Sequence, residues 1–165
     1  MVYLLDENVL INVARDIYPA DRFPEFWAWL LHHIEDGSIR TLKPISKKLK
    51  EKRPEDMLAR WVRKHESKML VDTPPAVLVR RVLTEGYGQR LRPTHLEQIE
   101  NDVLLIAAAL AAPNTRTVVT MESADRRSRK GLKRHIPHVC GLMKVEWATP
   151  FDLLKQLDFR TSAWR

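Results

Sequence analysis

Residues Val2-Tyr3-Leu4-Leu5 form an apolar run that stops at Asp6. A strand with one wet face alternates apolar and polar side chains. A run apolar at every position needs cover on both faces, as a strand inside a parallel sheet has. Parallel strands in turn require long crossovers between them, usually helices, and the rest of the chain offers these. Asn8 is placed to cap a helix through Val9, Leu10, Ile11 and Val13. From Pro24 to Gly37, residues Phe26, Trp27, Leu30, Leu31 and Ile34 recur at helical spacing, a stripe suited to a core. Trp29 lies off that stripe and is a candidate contact residue. Ile39 to Ile45 reads as a weak strand and turn broken by Pro44. A basic helix is expected from Ser46, another from Pro54 with Met57, Leu58, Trp61 and Val62, and a short strand at Met69-Leu70-Val71. Ala76 to Thr84 is predicted helical, ended by Gly86-Tyr87-Gly88. Thr94-His95-Leu96-Glu97 has the form of a capping box. It opens a helix whose later half, Val103 to Leu110, carries alanines that permit close packing on a sheet. Thr117-Val118-Val119-Thr120 and Val145-Glu146-Trp147 read as the later strands, and Pro150 to Leu157 as the closing helix. Short buried strands alternating with helices predict a three-layer α/β/α fold with a small, mainly parallel central sheet. No repeat or linker divides the chain, so residues 1–165 are expected to form one domain.

Several classes are set aside. The longest dense apolar stretch, Val103 to Ala112, is too short to span a bilayer. The first residues lack the basic start and long apolar core of a signal peptide. The single Cys140 leaves no intramolecular disulfide. These features predict a cytoplasmic protein without a membrane. With only five scattered glycines there is no phosphate-cradling loop, and no nucleophile elbow appears. His135, His138 and Cys140 enclose Pro137 and match no common zinc spacing. His32 and His33 have no companion nucleophile. A receiver-like phospho-acceptor domain would need a lysine after a later strand and a phosphorylatable Asp on a middle one, and neither is clear.

Charge points to a partner. Lys and Arg number 28 against 21 Asp and Glu, a formal net charge of +7. The bases cluster. One run, Ser46 to Arg53, includes Lys47, Lys48 and Lys50; a second holds Arg126, Arg127, Arg129, Lys130, Lys133 and Arg134. Such runs suit RNA, whose phosphates release condensed counterions when neutralised. They equally suit an acidic protein, or a solvated surface.

In open parallel sheets, ligands bind beyond the carboxyl ends of the strands, where Asp6 and Glu122 fall. Asp102 lies at or near the start of a buried helix, a poor place for a lone charge. Singly, each acid has an ordinary use: a turn former, a helix N-terminal acid, a surface residue. Gathered in one crevice they would repel one another, and a divalent ion would relieve that repulsion. An all-oxygen ligand set suits Mg²⁺ or Mn²⁺, which can activate water and stabilise a phosphate being displaced.

Leu4-Leu5-Asp6-Glu7-Asn8-Val9-Leu10-Ile11 resembles the opening motif of PIN domains. Asn101-Asp102-Val103-Leu104-Leu105-Ile106-Ala107-Ala108-Ala109 is similar to their central acidic helix. Val118-Val119-Thr120-Met121-Glu122 is similar to their last acidic strand end, with Glu where many members have Asp. Tyr18-Pro19, the segment Phe23 to Leu30 and Ile136-Pro137-His138-Val139-Cys140 resemble a PIN-like bacterial branch, the VapC-type toxins found beside antitoxin genes. The resemblance runs from Met1 to Leu157. It implies a PIN-like fold, metal-dependent endoribonuclease activity, an RNA substrate, a cognate antitoxin and frequent homodimers. By position it gives the catalytic and metal-ligand roles to Asp6, Asp102 and Glu122, supporting hydrogen bonds to Asn8 and Thr120, and an extra acid to Asp125.

One position departs from that pattern. PIN domains carry another acid in the helix after the second strand, where this chain has Lys48. Unit charges 4 Å apart at an effective dielectric of 20 interact by about 4 kcal/mol, so a lysine there would compete with the metal. Three outcomes stay open: Glu51, a turn further on, takes the acid's place; Lys48 clamps the scissile phosphate; or the site binds RNA or an antitoxin without cutting.

Overall fold

The computed structural model describes residues 1–51, 53, 55–88, 93–124 and 134–161. The elements follow in order: β1 (Val2–Leu5), α1 (Glu7–Asn12) with a π-helical turn Val13–Ile17, α2 (Pro24–Glu35), β2 (Ile39–Arg40), α3 (Lys43–Lys50), α4 (Met57–Met69), α5 (Ala76–Arg81) with a π-helical turn Val82–Tyr87, α6 (Pro93–Leu110), β3 (Arg116–Val119), α7 (Ile136–Met143), β4 (Glu146–Ala148) and α8 (Pro150–Gln156).

The four strands form one all-parallel sheet in the order β2-β1-β3-β4. Tyr3, Leu4 and Leu5 are buried, as the apolar run requires. Leu5 on β1 meets α1, α2 and α8 on one face, and α6 and α7 pack on β3 and β4, giving the three-layer α/β/α arrangement. Ala107, Ala108 and Ala109 are all fully buried, and their small side chains let α6 lie close to the sheet. A parallel bridge between Thr41 and Leu70 continues the sheet beyond β2. Each buried Leu, Ile, Val or Phe stabilises the fold by about 1.5–3 kcal/mol, against about 0–1 for an exposed ion pair. The core, then, sets stability. Among the described residues no helix is long and apolar enough to cross a membrane.

Local details differ from the sequence reading. The residue capping α1 is Asp6, with φ −67° and ψ 153°, and Asn8 lies inside the helix. β2 is only two residues long, because Pro44 already belongs to the first turn of α3. Leu70 reaches β2 through one bridge instead of a strand, since Met69 still ends α4. α6 starts at Pro93, so Thr94 is within the helix and not its cap. A capping box occurs at α8 instead, between Thr149 and Asp152. Trp29 belongs to the interior packing: its indole N–H donates to the Leu157 carbonyl at 3.2 Å, and its ring meets Phe26, His33 and Phe159.

Candidate functional site

The strand order reverses between β1 and β3: the chain leaves β1 for β2 on one side, then returns to β3 on the other. That reversal opens a crevice beyond the strands' carboxyl ends. Asp6 stands there, one residue past β1 and 2% exposed. Its backbone N–H donates to the Val119 carbonyl at 3.0 Å, and the Thr41 hydroxyl donates to the Leu5 carbonyl at 2.9 Å. Three strands therefore hold Asp6 in place. Thr120, fully buried, donates its hydroxyl to Asp6 Oδ2 at 3.4 Å and accepts the Glu122 backbone N–H at 3.2 Å. It links the two strand-end acids. Glu122 Oε2 also accepts the Ile136 N–H at 2.6 Å, at the start of α7.

Asp102 lies in the interior of α6, far from the helix N-terminus that would favour a charge. Burial raises its carboxyl to about 8, reinforced by the charges of Asp6, Glu122 and Glu7 and opposed by Lys48. Asp6 is raised to about 6, by burial first and then by Glu7 and Glu122. The Glu7 backbone N–H and the Thr120 hydroxyl act against that rise. The three predicted acids thus share one electrostatic field. It extends inward: Cys140, fully buried, is pushed up to about 12 by burial and then by Glu122 and Asp102.

Glu7 is the acid that sequence reasoning missed. It stands next to Asp6 in the first turn of α1, accepts Lys48 Nζ at 2.5 Å on one oxygen and the Asn101 amide at 3.1 Å on the other. Lys48 is therefore drawn to the acid cluster as an ion-pair partner of Glu7. The adjacency Asp6-Glu7 was the available signal, but only the fold shows that both side chains turn to the same place. Glu51 does not take the fourth position; it is exposed and 3.9 Å from Lys47. Asn8 is exposed and its side chain forms no hydrogen bond among the described residues; only its carbonyl accepts, from Asn12 at 2.7 Å. The supporting role expected of Asn8 is not filled, because helix α1 turns it outward.

A cleft of about 620 Å³ opens beside the cluster, lined by Glu7, Glu97, Glu100 and Asp102 on one side and Lys43, Lys47, Lys48 and Glu51 on the other. Lys43, which sequence reasoning passed over, joins the basic wall because α3 begins there. Lys50 leaves it: its Nζ is 2.5 Å from Glu66, on the side facing α4. Arg134 donates to the Gly86 carbonyl. Asp125, Arg126, Arg127, Arg129, Lys130 and Lys133 lie outside the described residues.

The donor set is all oxygen, and two of its carboxyls are raised with no cation paired directly to either among the described residues, which fits a hard divalent ion. Among the described residues, the group whose ligand atoms all lie within 4.8 Å of one another is His32, His33 and Asp36, at the end of α2. There His33 is already 3.2 Å from Asp36, and Asp36 also accepts the Ser38 N–H at 2.7 Å. The acid cluster does not meet that spacing, and Mg²⁺ does not need it to, because that ion binds through one or two carboxylates and keeps several waters. Asp6, Asp102 and Glu122, with Glu7, are the residues that would hold it.

Fold and site together define an α/β protein with an acidic crevice at the switch point of a parallel sheet. Over residues 3–161 the chain matches DUF4411, described as a domain of unknown function, and it belongs to that family. Neither the curated proteins nor the solved structures yield a match.

Proposed function

We propose that the chain is a metal-dependent endoribonuclease of the PIN-like kind, the toxin of a type II toxin–antitoxin pair, cutting RNA phosphodiesters with carboxylate-bound Mg²⁺ or Mn²⁺. The observation that supports this reading is the coupling of Asp6, Asp102 and Glu122: burial and neighbouring acids raise Asp6 to about 6 and Asp102 to about 8, and the Thr120 hydroxyl donates to Asp6 while accepting the Glu122 N–H. Carboxyls so crowded are relieved when a cation is held among them. Such an ion would supply an activated water and stabilise the charge developing on a phosphate. The chain's own part is then positional. Thr120 orients Asp6, Ile136 N–H orients Glu122, and Lys43, Lys47 and Lys48 line the cleft where the RNA backbone would run. Unstacked single-stranded RNA suits such a recessed site better than a duplex. A cognate antitoxin, a homodimer and a cytoplasmic location accompany this reading.

A second reading, a degenerate module that binds RNA or an antitoxin without cutting, has one observation in its favour. Lys48 holds Glu7 at 2.5 Å and brings a positive charge to the edge of the acid cluster. Incubating total RNA with Mg²⁺ or Mn²⁺ separates the two. The nuclease reading expects metal-dependent fragments that disappear with Asp6→Ala. RNA retained but intact at every metal concentration would favour the second reading; fragments that persist in Asp6→Ala would sink the first.

A further inference from the structure

Tyr87 closes the π-helical turn after α5 and is 2% exposed. Its hydroxyl is the one buried side-chain polar atom without a hydrogen-bond partner among the described residues. Buried hydroxyls are satisfied as a rule, and an exception in a native fold calls for a reason. Slack packing is not the reason. A Cβ on the preceding Gly86 would lie 2.6 Å from Val139 Cγ1, so the turn is pressed against α7. Arg134 holds the Gly86 carbonyl, and Gly88, at φ +108°, ends the turn on the other side. The turn's backbone is held on both sides of Tyr87.

The turn that carries Tyr87 packs on α6 and α7, the helices of Asp102 and Cys140. The charges that act on the phenol are those of Asp102 foremost, then Glu122, Cys140 and Asp6. Burial and these negative neighbours keep the phenol protonated, so it can only be useful there as a donor. Asp102, for its part, has no hydrogen bond to its carboxyl among the described residues, while Asp6, Glu7 and Glu122 each accept at least one. An unused donor and an unused acceptor therefore sit on two elements packed against one another. A carboxylate that gives one oxygen to a cation still has the other to satisfy, and outer partners of this sort orient metal ligands.

We propose that Tyr87 is a positioning residue of the acid cluster, its hydroxyl donating a hydrogen bond to Asp102 when a divalent cation is held there. The inference rests on the metal-site reading given above.

The test compares the wild-type chain with Tyr87→Phe, using Mn²⁺ alone as calorimetric probe and Mg²⁺ alone in tyrosine difference absorption. Removing a hydroxyl that has no partner should leave the metal-free thermal midpoint equal or higher. Mn²⁺ affinity should fall about tenfold, at the lower end of what losing such an outer partner costs. Mg²⁺ should perturb tyrosine absorption in the wild type, and that change should be missing in Tyr87→Phe and also in Asp102→Asn, which retains Tyr87. Equal Mn²⁺ affinity in wild type and Tyr87→Phe would overturn the role of Tyr87 and leave the metal site standing. A clear fall in the metal-free midpoint of Tyr87→Phe would overturn it too, by showing that the hydroxyl has a structural partner. No Mn²⁺ binding by the wild type would remove the metal site and this inference together. Should Tyr87→Phe fail to fold, a Mg²⁺ response that survives in Asp102→Asn decides against the proposal.

Discussion

Asp102 is a carboxylic acid inside a helix, buried among other acids, and its folded-state value near 8 lies well above the ordinary aspartate value of 3.8. Asp6, near 6, is displaced the same way. Between pH 4 and pH 8 the folded chain accordingly holds protons that the unfolded chain has lost, so metal-free stability falls as pH rises through that window. The part due to Asp6 is lost up to about pH 6, and the part due to Asp102 up to about pH 8. Denaturant melts of the metal-free protein at pH 5 and pH 8 should show the higher stability at pH 5. In Asp102→Asn, which carries no charge, most of this slope should vanish and the pH 8 stability should rise, while Mg²⁺-dependent RNA cleavage is lost. A slope unchanged by Asp102→Asn would mean that the carboxyl is not charged against its neighbours. Lys48 is the complementary case. Lys48→Glu removes the cation paired with Glu7 and adds a further carboxylate, so Mg²⁺ or Mn²⁺ binding should strengthen and cleavage should quicken. Titration of Mn²⁺ into both forms checks the first, and unchanged affinity would place Lys48 outside the site in solution.

At the scale of elements, the π-helical turn after α5 is pressed closely against α7. Gly86 packs on Val139 of α7 at a distance no Cβ tolerates. Gly86→Ala should destabilise by about 1–3 kcal/mol through overpacking, partly offset by the better helix propensity of alanine. Combining it with Val139→Ala should recover part of the loss, because the clashing methyl is then absent. Chemical denaturation of the single and double variants measures both, and a neutral Gly86→Ala would show that α7 can shift. The other elements at the crevice are held by backbone pairing: Asp6 N–H to Val119, Thr120 N–H to Ala148 at 3.1 Å, and Val145 N–H to Cys140 at 2.9 Å. Helices bring Glu7, Asp102 and Lys48; strands bring Asp6 and Thr120.

Over the whole molecule, the cleft beside the switch point between β1 and β3 has Glu7 and Asp102 on one side and the opening of α3 on the other. A polyanion lying in the cleft would meet Lys43, Lys47 and Lys48 while its phosphate approaches the acids. Replacing all three lysines by alanine should weaken binding of single-stranded RNA and lower the slope of log affinity against log salt by about 2, roughly 0.7 for each phosphate that is no longer neutralised. Filter binding across a salt series gives the slope. An unaltered slope would move the RNA path away from α3.

Much of this was legible along the chain, and the reason is locality. The unbroken apolar run of β1 announces a strand covered on both faces, and Phe26, Trp27, Leu30 and Ile34 announce a buried helix face, because periodicity depends on neighbours a few residues apart. Asp6 and Glu122 were readable as acids beyond strand ends, since those ends in a parallel sheet face a common crevice. The limits were of two kinds. Helix boundaries depend on capping, so Asn8 and Thr94 were misplaced when Asp6 and Pro93 began their helices. Partnerships across the fold depend on how helices pack. That Lys48 finds Glu7, 41 residues away, that Lys50 turns to Glu66 instead, and that Tyr87 lies buried without a partner in the field of Asp102 are outcomes of tertiary packing. Local pattern determined which elements form and where their acids fall; three-dimensional packing alone decided which charges share a site, because electrostatic coupling follows distance in space and not separation along the chain.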